Sequence, residues 1–145
     1  DTGMAAVQPK SLWITVGGQA LHYLDWGNAA APALVCVHGY TSSADAFNGF
    51  ARRFRDRFHI VALDVRGHGE SAWSGSGEYQ YRDQAADLAG FVDQLGLERF
   101  ILMGTWMGGR HDFTSARAAG VQVAQFMPPL RSPLRWPLRG RRHRR

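Results

Sequence analysis

The chain has 145 residues, 45% of them hydrophobic, which is enough apolar sequence for one domain with a buried core. No apolar run approaches the roughly 18 residues that a membrane-spanning helix needs, so the sequence excludes such a span. The formal net charge of +5 is unevenly distributed, because residues 113–145 carry eight arginines and no acid, whereas residues 1–112 carry all twelve acids against nine basic residues.

The single cysteine, Cys36, lies inside the apolar run Ala33–Val37. We expect a buried core thiol, because no neighbouring residue would lower its pKa and make it reactive. A disulfide within the chain is impossible, and this is compatible with the cytoplasmic location that we expect.

The first residues predict a disordered leader over 1–10, followed by a β-hairpin. Apolar and polar residues alternate over Ser11–Val16 and again over Ala20–Trp26, which is typical of half-buried strands. Between them, Gly17-Gly18 is a dipeptide that favours a two-residue hairpin turn.

Strands and helices then alternate along the chain. Continuous apolar runs at Ala33–Val37, His59–Asp64 and Phe100–Met103 predict buried strands. Two stretches between these runs have apolar residues at helical spacing, and Gly96 is placed to end the second helix. The first stretch contains Phe47, Phe50, Ala51, Phe54 and Phe58, and the second contains Tyr81, Ala85, Leu88, Ala89, Val92 and Leu95. The pattern predicts an α/β fold with a mostly parallel sheet, an N-terminal β-hairpin and helices on both faces.

Each buried strand is followed by a short motif. His38-Gly39 follows the first strand, Asp64–Ser71 begins at the end of the second, and Gly104–Gly109 follows the third. In this order and at these strand ends, the motifs resemble the N-terminal half of an α/β-hydrolase over roughly residues 11–110. The resemblance implies hydrolysis of an ester or related carbonyl compound, a small-molecule substrate, through an acyl-enzyme. It implies no metal or organic cofactor.

The third motif corresponds to the nucleophile elbow of that family, whose pattern is G-x-S-x-G. The resemblance places Trp106 at the nucleophile position, between the flanking glycines Gly104 and Gly108. A sharp elbow turn strains the backbone and leaves no space for bulky neighbours, so the glycines are consistent with an elbow even though the serine is replaced.

The resemblance also assigns an oxyanion hole. Its two donors would be the backbone N–H groups of Tyr40 and Met107, supported by His38 and Gly39. In the second motif, we expect the charged residues to hold the loop together rather than to contact substrate.

Replacement of the serine predicts a catalytically inactive chain, because an indole cannot form an acyl-enzyme. We expect the chain to be truncated, since the acid and histidine of the family follow later strands than it reaches. Either Trp106 is the natural residue or a single-base change has converted a serine codon. His111 and Asp112 are not expected to substitute, because neighbouring helical residues diverge by about 100°.

Alignment with dehalogenase and epoxide-hydrolase elbows fails, because those elbows have aspartate immediately before tryptophan, where this chain has Thr105.

Residues 113–145 predict a disordered tail rich in proline and arginine, separate from the hydrolase part at 11–112. Two interpretations remain open: a shifted reading frame in GC-rich coding sequence, or a basic arm that binds nucleic acid or anionic lipid. We also expect self-association through the exposed edge of the strand Phe100–Met103.

Overall fold

A computed structural model describes residues 6–104, which form a five-stranded sheet with a helix against each face. The strands are β1 (Lys10–Val16), β2 (Gln19–Asp25), β3 (Ala33–Val37), β4 (His59–Leu63) and β5 (Phe100–Gly104), in the spatial order β1-β2-β4-β3-β5. The predicted strands are confirmed to within a residue or two at each end. The predicted boundary between hydrolase part and tail lies outside the described residues.

The sheet is mixed. β3 is parallel to both β4 and β5, whereas β2 is antiparallel to both β1 and β4. The predicted α/β fold class with its N-terminal hairpin is confirmed. Both antiparallel pairings involve β2, the second strand of the hairpin. At the hairpin turn, Gly17 and Gly18 both have positive φ, 55° and 80°, as a type I′ turn requires.

The first helical segment begins with a 3₁₀ turn, Ala44–Phe47, and continues as α1, Asn48–Phe54. α1 ends at Phe54, so Phe58, which the sequence pattern includes in the first helical stretch, lies beyond the helix. Ser43 occupies the N-cap position, but its side chain makes no capping hydrogen bond. The Ala44 N–H instead donates to Asp64 Oδ1 over 2.7 Å.

The second helix, α2, spans Tyr81–Gln94. It ends in a Schellman motif, in which Gly96 has φ +68°, the Gly96 N–H bonds to Asp93 O and the Leu97 N–H bonds to Val92 O. Gly96 is thus confirmed as the residue that ends the helix.

The core has two layers, one on each face of the sheet. α2 packs on one face through Leu88, Phe91 and Val92, and α1 with its 3₁₀ turn packs on the other, where Cys36 is fully buried. Burial raises the pKa of the Cys36 thiol, as expected for a core cysteine. Within residues 6–104, neither helix is long and apolar enough to cross a membrane.

Candidate active site

The carboxyl ends of β3 and β5 bring the first residues of two sequence motifs close together. The strands are parallel neighbours in a register that pairs Val37 with Gly104, so His38 and Gly104 lie at the same end of the sheet. A Cβ atom at position 104 would lie 3.0 Å from the Val37 carbonyl oxygen. Gly104 therefore allows the two strand ends to pack closely.

His38 is buried between the ends of β3 and β4. Its Nε2 accepts the Val65 N–H at 2.9 Å, so the ring proton lies on Nδ1, which donates to Gly39 O at 2.8 Å. Burial is the main cause that lowers the pKa of His38 below its ordinary value of 6.5. Both ring nitrogens are occupied, and the neutral ring fixes the loop that leads to Tyr40.

The Tyr40 N–H has no hydrogen-bond acceptor among residues 6–104. The following residue, Thr41, has φ +56°, a left-handed conformation that is unusual for a β-branched side chain. Such strain costs of order 1–3 kcal/mol and is found preferentially at functional sites. No sequence signal marks Thr41 as strained, since it reads as an ordinary polar loop residue.

A small cleft lies beside this loop and encloses about 20 Å³, which is room for a single water. It is lined by His38, Gly39, Tyr40, Val65, His68, Tyr81 and Gln84. His68 packs edge-on against Tyr40, with ring centroids 5.8 Å apart, and lies 5.2 Å from the ring of His38. Its Nδ1 is 3.1 Å from Arg66 O, so His68 is bonded to its own loop.

Tyr81 is a correction to the sequence interpretation. It was expected on the apolar face of the second helix, but it is 39% exposed and lines the cleft. Because Tyr81 is the first residue of α2, its side chain projects from the helix end rather than from the buried stripe.

Asp64 ties three segments together at the end of β4. Its carboxylate accepts the backbone N–H of Ala44 at 2.7 Å and of Glu70 at 3.0 Å, and lies 2.7 Å from His22 Nδ1. A Cβ atom at position 69 would come within 2.3 Å of this carboxylate, and Gly69 has φ +51°. The charged residue therefore organises the loop, as expected.

Arg66 has the same kind of role on the other side of the loop. Its guanidinium forms a bidentate pair with buried Asp87 of α2, at 2.6 and 2.7 Å, and donates to Glu78 O at 2.9 Å. The hydrogen bond to Asp87 raises the pKa of Arg66. The pair fastens the loop after β4 to α2.

Three predicted site residues, Trp106, Met107 and Gly108, lie outside the described residues. The other four, His38, Gly39, Tyr40 and Gly104, lie at the carboxyl ends of β3 and β5.

A sequence model described as the alpha/beta hydrolase fold matches residues 32–119, more than half of the chain. The chain belongs to the α/β-hydrolase family. A hydrolase of unknown specificity from Bacillus subtilis, YugF, is 34% identical over 113 residues, covering 78% of this chain and 41% of that protein. The 2-(acetamidomethylene)succinate hydrolase of Mesorhizobium japonicum is 34% identical over 103 residues, covering 71% and 36%.

Comparison with solved structures also supports membership of the α/β-hydrolase family. This α/β-hydrolase chain superposes on E-2-(acetamidomethylene)succinate hydrolase with a TM-score of 0.71 at 30% identity, over 81% of this chain and 43% of that one. The chain thus spans less than half the length of these relatives.

Proposed function

We propose that residues 11–112 carry the oxyanion-binding part of a hydrolase site for an ester or related carbonyl compound. The observation that supports this most directly is the Tyr40 N–H, which has no acceptor among residues 6–104 and stands at the strand edge where Gly104 ends β5. The Met107 N–H is the proposed second donor. The substrate is a small molecule.

The surroundings of Tyr40 suit an oxyanion donor. Such a donor stabilises developing negative charge most when it is already fixed, because it then needs no reorganisation during the reaction. His38 provides that fixation through its bonds to Val65 and Gly39. The imidazole of His38 is neutral, so it holds the loop in place without putting a charge beside a bound carbonyl group.

The relatives favour the same class of compound. The Mesorhizobium relative is named for hydrolysis of 2-(acetamidomethylene)succinate, and a relative in Pseudomonas putida, 34% identical over 123 residues, is named N-formylmaleamate deformylase. These names support a carbonyl compound as the ligand of this chain.

Trp106 leaves this site without a serine nucleophile. The indole offers only an N–H donor and cannot form the acyl bond of the family reaction. We therefore propose that the chain retains the oxyanion donors and does not turn over esters. Replacing Trp106 by serine creates an unassisted hydroxyl, which acylates slowly and does not restore efficient turnover.

The test uses p-nitrophenyl acetate with three proteins: the unmutated chain, Trp106→Ser, and Trp106→Ser combined with a change at Tyr40. The unmutated chain should show no multiple turnover. In Trp106→Ser, peptide mapping should detect slow acetylation at position 106. Adding Tyr40→Pro removes the N–H donor and should slow this acetylation about 10²-fold, the lower range for loss of one oxyanion donor.

Tyr40→Phe is the matched control, because it retains both the N–H and the ring and should leave the acetylation rate nearly unchanged. Sustained turnover by the unmutated chain would contradict the proposed inactivity. Equal rates in the Tyr40→Pro and Tyr40→Phe proteins would contradict the proposed donor.

The charge distribution supports a second candidate function, binding of polyanions by the tail. Eight arginines without one acid in residues 113–145 attract nucleic acid or anionic lipid surfaces by counterion release. Affinity for duplex DNA should then fall steeply with salt. Deletion of residues 113–145 should abolish binding to duplex DNA. DNA binding that is unchanged by the deletion would show that the tail is not responsible.

A further inference from the structure

A serine in β1, a histidine in β2 and an aspartate directly after β4 form a chain of hydrogen bonds. Ser11 in β1 is exposed, and its Oγ lies 2.6 Å from Nε2 of His22 in β2. Nδ1 of the same ring lies 2.7 Å from Oδ2 of buried Asp64. The sheet order places β1 at one edge and β5, which leads to the elbow, at the other.

The hydrogen bonds around Asp64 fix the proton on the histidine ring. The carboxylate already accepts two backbone N–H groups, from Ala44 and Glu70, so it is a committed acceptor and His22 Nδ1 is the donor. In the neutral ring, Nε2 is then the basic nitrogen, and the Ser11 hydroxyl donates to it. This is the order of groups found in hydrolytic serine triads, which are recognised by geometry rather than by position in the sequence.

A second acceptor stands beside the same nitrogen. Glu70 Oε2 lies 3.4 Å from His22 Nε2, and the Glu70 side chain is largely exposed. An ionised carboxylate accepts hydrogen bonds and does not donate them. Glu70 can therefore bond to Nε2 only in the imidazolium that forms after proton transfer, whereas Ser11 donates to Nε2 of the neutral ring before it. Asp64 and Glu70 are the charged groups that face this ring.

The neighbouring Trp13 offers an apolar surface next to the hydroxyl. It lies two residues from Ser11 on the same strand face, is 58% exposed, and its ring centroid is 4.7 Å from that of His22. A flat ring of this kind is suited to stack with an aryl group.

We propose that Ser11 is an activated nucleophile that is acylated by aryl esters, with His22 as the general base and Asp64 as the positioning residue. Ser11 Oγ forms a bond to the ester carbonyl carbon as its proton passes to His22 Nε2. The bond to the aryl oxygen breaks, and the leaving phenolate takes up a proton from the imidazolium. The product is a Ser11 ester and a phenol, and the site is independent of Trp106.

The experiment treats the full chain with p-nitrophenyl acetate and maps the acetylated peptides by mass spectrometry. Hydroxylamine treatment separates an ester on Ser11 from an amide on neighbouring Lys10, because only the ester is cleaved. Ser76 is the matched comparison, since it is an exposed serine without a histidine partner among residues 6–104. Ser11 should be acetylated about 10²-fold faster than Ser76, as general-base assistance provides.

Two variants test the mechanism. Ser11→Ala should remove the hydroxylamine-labile acetyl group from this peptide. His22→Asn replaces the base with an amide that still donates to Asp64, so it should preserve the circular dichroism spectrum while slowing Ser11 acetylation about 10²-fold. Acetylation of Ser11 no faster than that of Ser76, or unchanged in His22→Asn, would overturn the proposal.

Discussion

Val65 donates its backbone N–H to His38 Nε2 over 2.9 Å, and this bond forms only while that nitrogen is unprotonated. Burial lowers the pKa of His38 below its ordinary 6.5, in the same sense as the hydrogen bond. The loop that carries the proposed oxyanion donor therefore depends on a neutral imidazole.

Stability should decrease in mild acid because of His38. Since its folded-state pKa is depressed, the unfolded chain binds more protons as pH falls below about 6.5. The free energy of unfolding should therefore fall from about pH 7 to pH 5, and His38→Gln should make that fall shallower. Urea unfolding at several pH values measures both slopes, and identical slopes in the two proteins would contradict the assignment.

Breaking the pair between Arg66 and Asp87 should strongly destabilise the fold. Asp87→Ala leaves a buried guanidinium without its carboxylate, which typically costs about 3–5 kcal/mol in the free energy of unfolding. Asp93→Ala, on the exposed side of the same helix, is the control and should change that free energy by less than about 0.5 kcal/mol. Denaturant unfolding monitored by circular dichroism compares them. A similar small effect for both variants would show that the pair does not hold the loop.

Much of the architecture was predictable from local patterns. Gly17-Gly18 marked the hairpin turn because a type I′ turn needs two positive φ angles, and Gly96 marked the helix end for a related reason. The apolar run Ala33–Val37 marked a buried strand because both of its faces are covered.

The polar contacts of the site were not predictable, because they join residues distant in sequence. Asp64 caps the turn at Ala44, 20 residues away, and binds His22, 42 residues away. Neither residue type indicates such a partner before the strand order is known. The positive φ of Thr41 likewise depends on the packing of the loop rather than on its own preference.

Gly69 should be intolerant of any side chain. Gly69→Ala places a Cβ atom 2.3 Å from the Asp64 carboxylate and also strains a backbone at φ +51°. Gly77→Ala is the matched control, because its φ is +74° but no atom lies within 4 Å of the added Cβ. The control should cost about 1–2 kcal/mol for left-handed strain alone, and Gly69→Ala should cost more. Equal losses of stability in the two variants, measured by thermal or urea unfolding, would show that the contact with Asp64 adds no cost.

The two edges of the described sheet should differ in their tendency to associate. Within residues 6–104, β5 pairs only with β3, so its other edge presents unpaired backbone groups beside the uncharged run Phe100–Gly104. β1, at the opposite edge, carries Lys10 and a largely exposed face. Charged side chains protect sheet edges from pairing with another chain, whereas an uncharged apolar edge invites it.

We therefore expect concentration-dependent self-association through β5. Ile101→Lys introduces a charge at this edge and should shift the protein toward monomer in size-exclusion chromatography. Trp13→Lys places the same charge on the β1 edge, where Trp13 is 58% exposed, and should leave the distribution unchanged. Circular dichroism checks that both variants remain folded. A single monomer peak for the unmutated chain at every concentration, or an equal shift in both variants, would contradict association through β5.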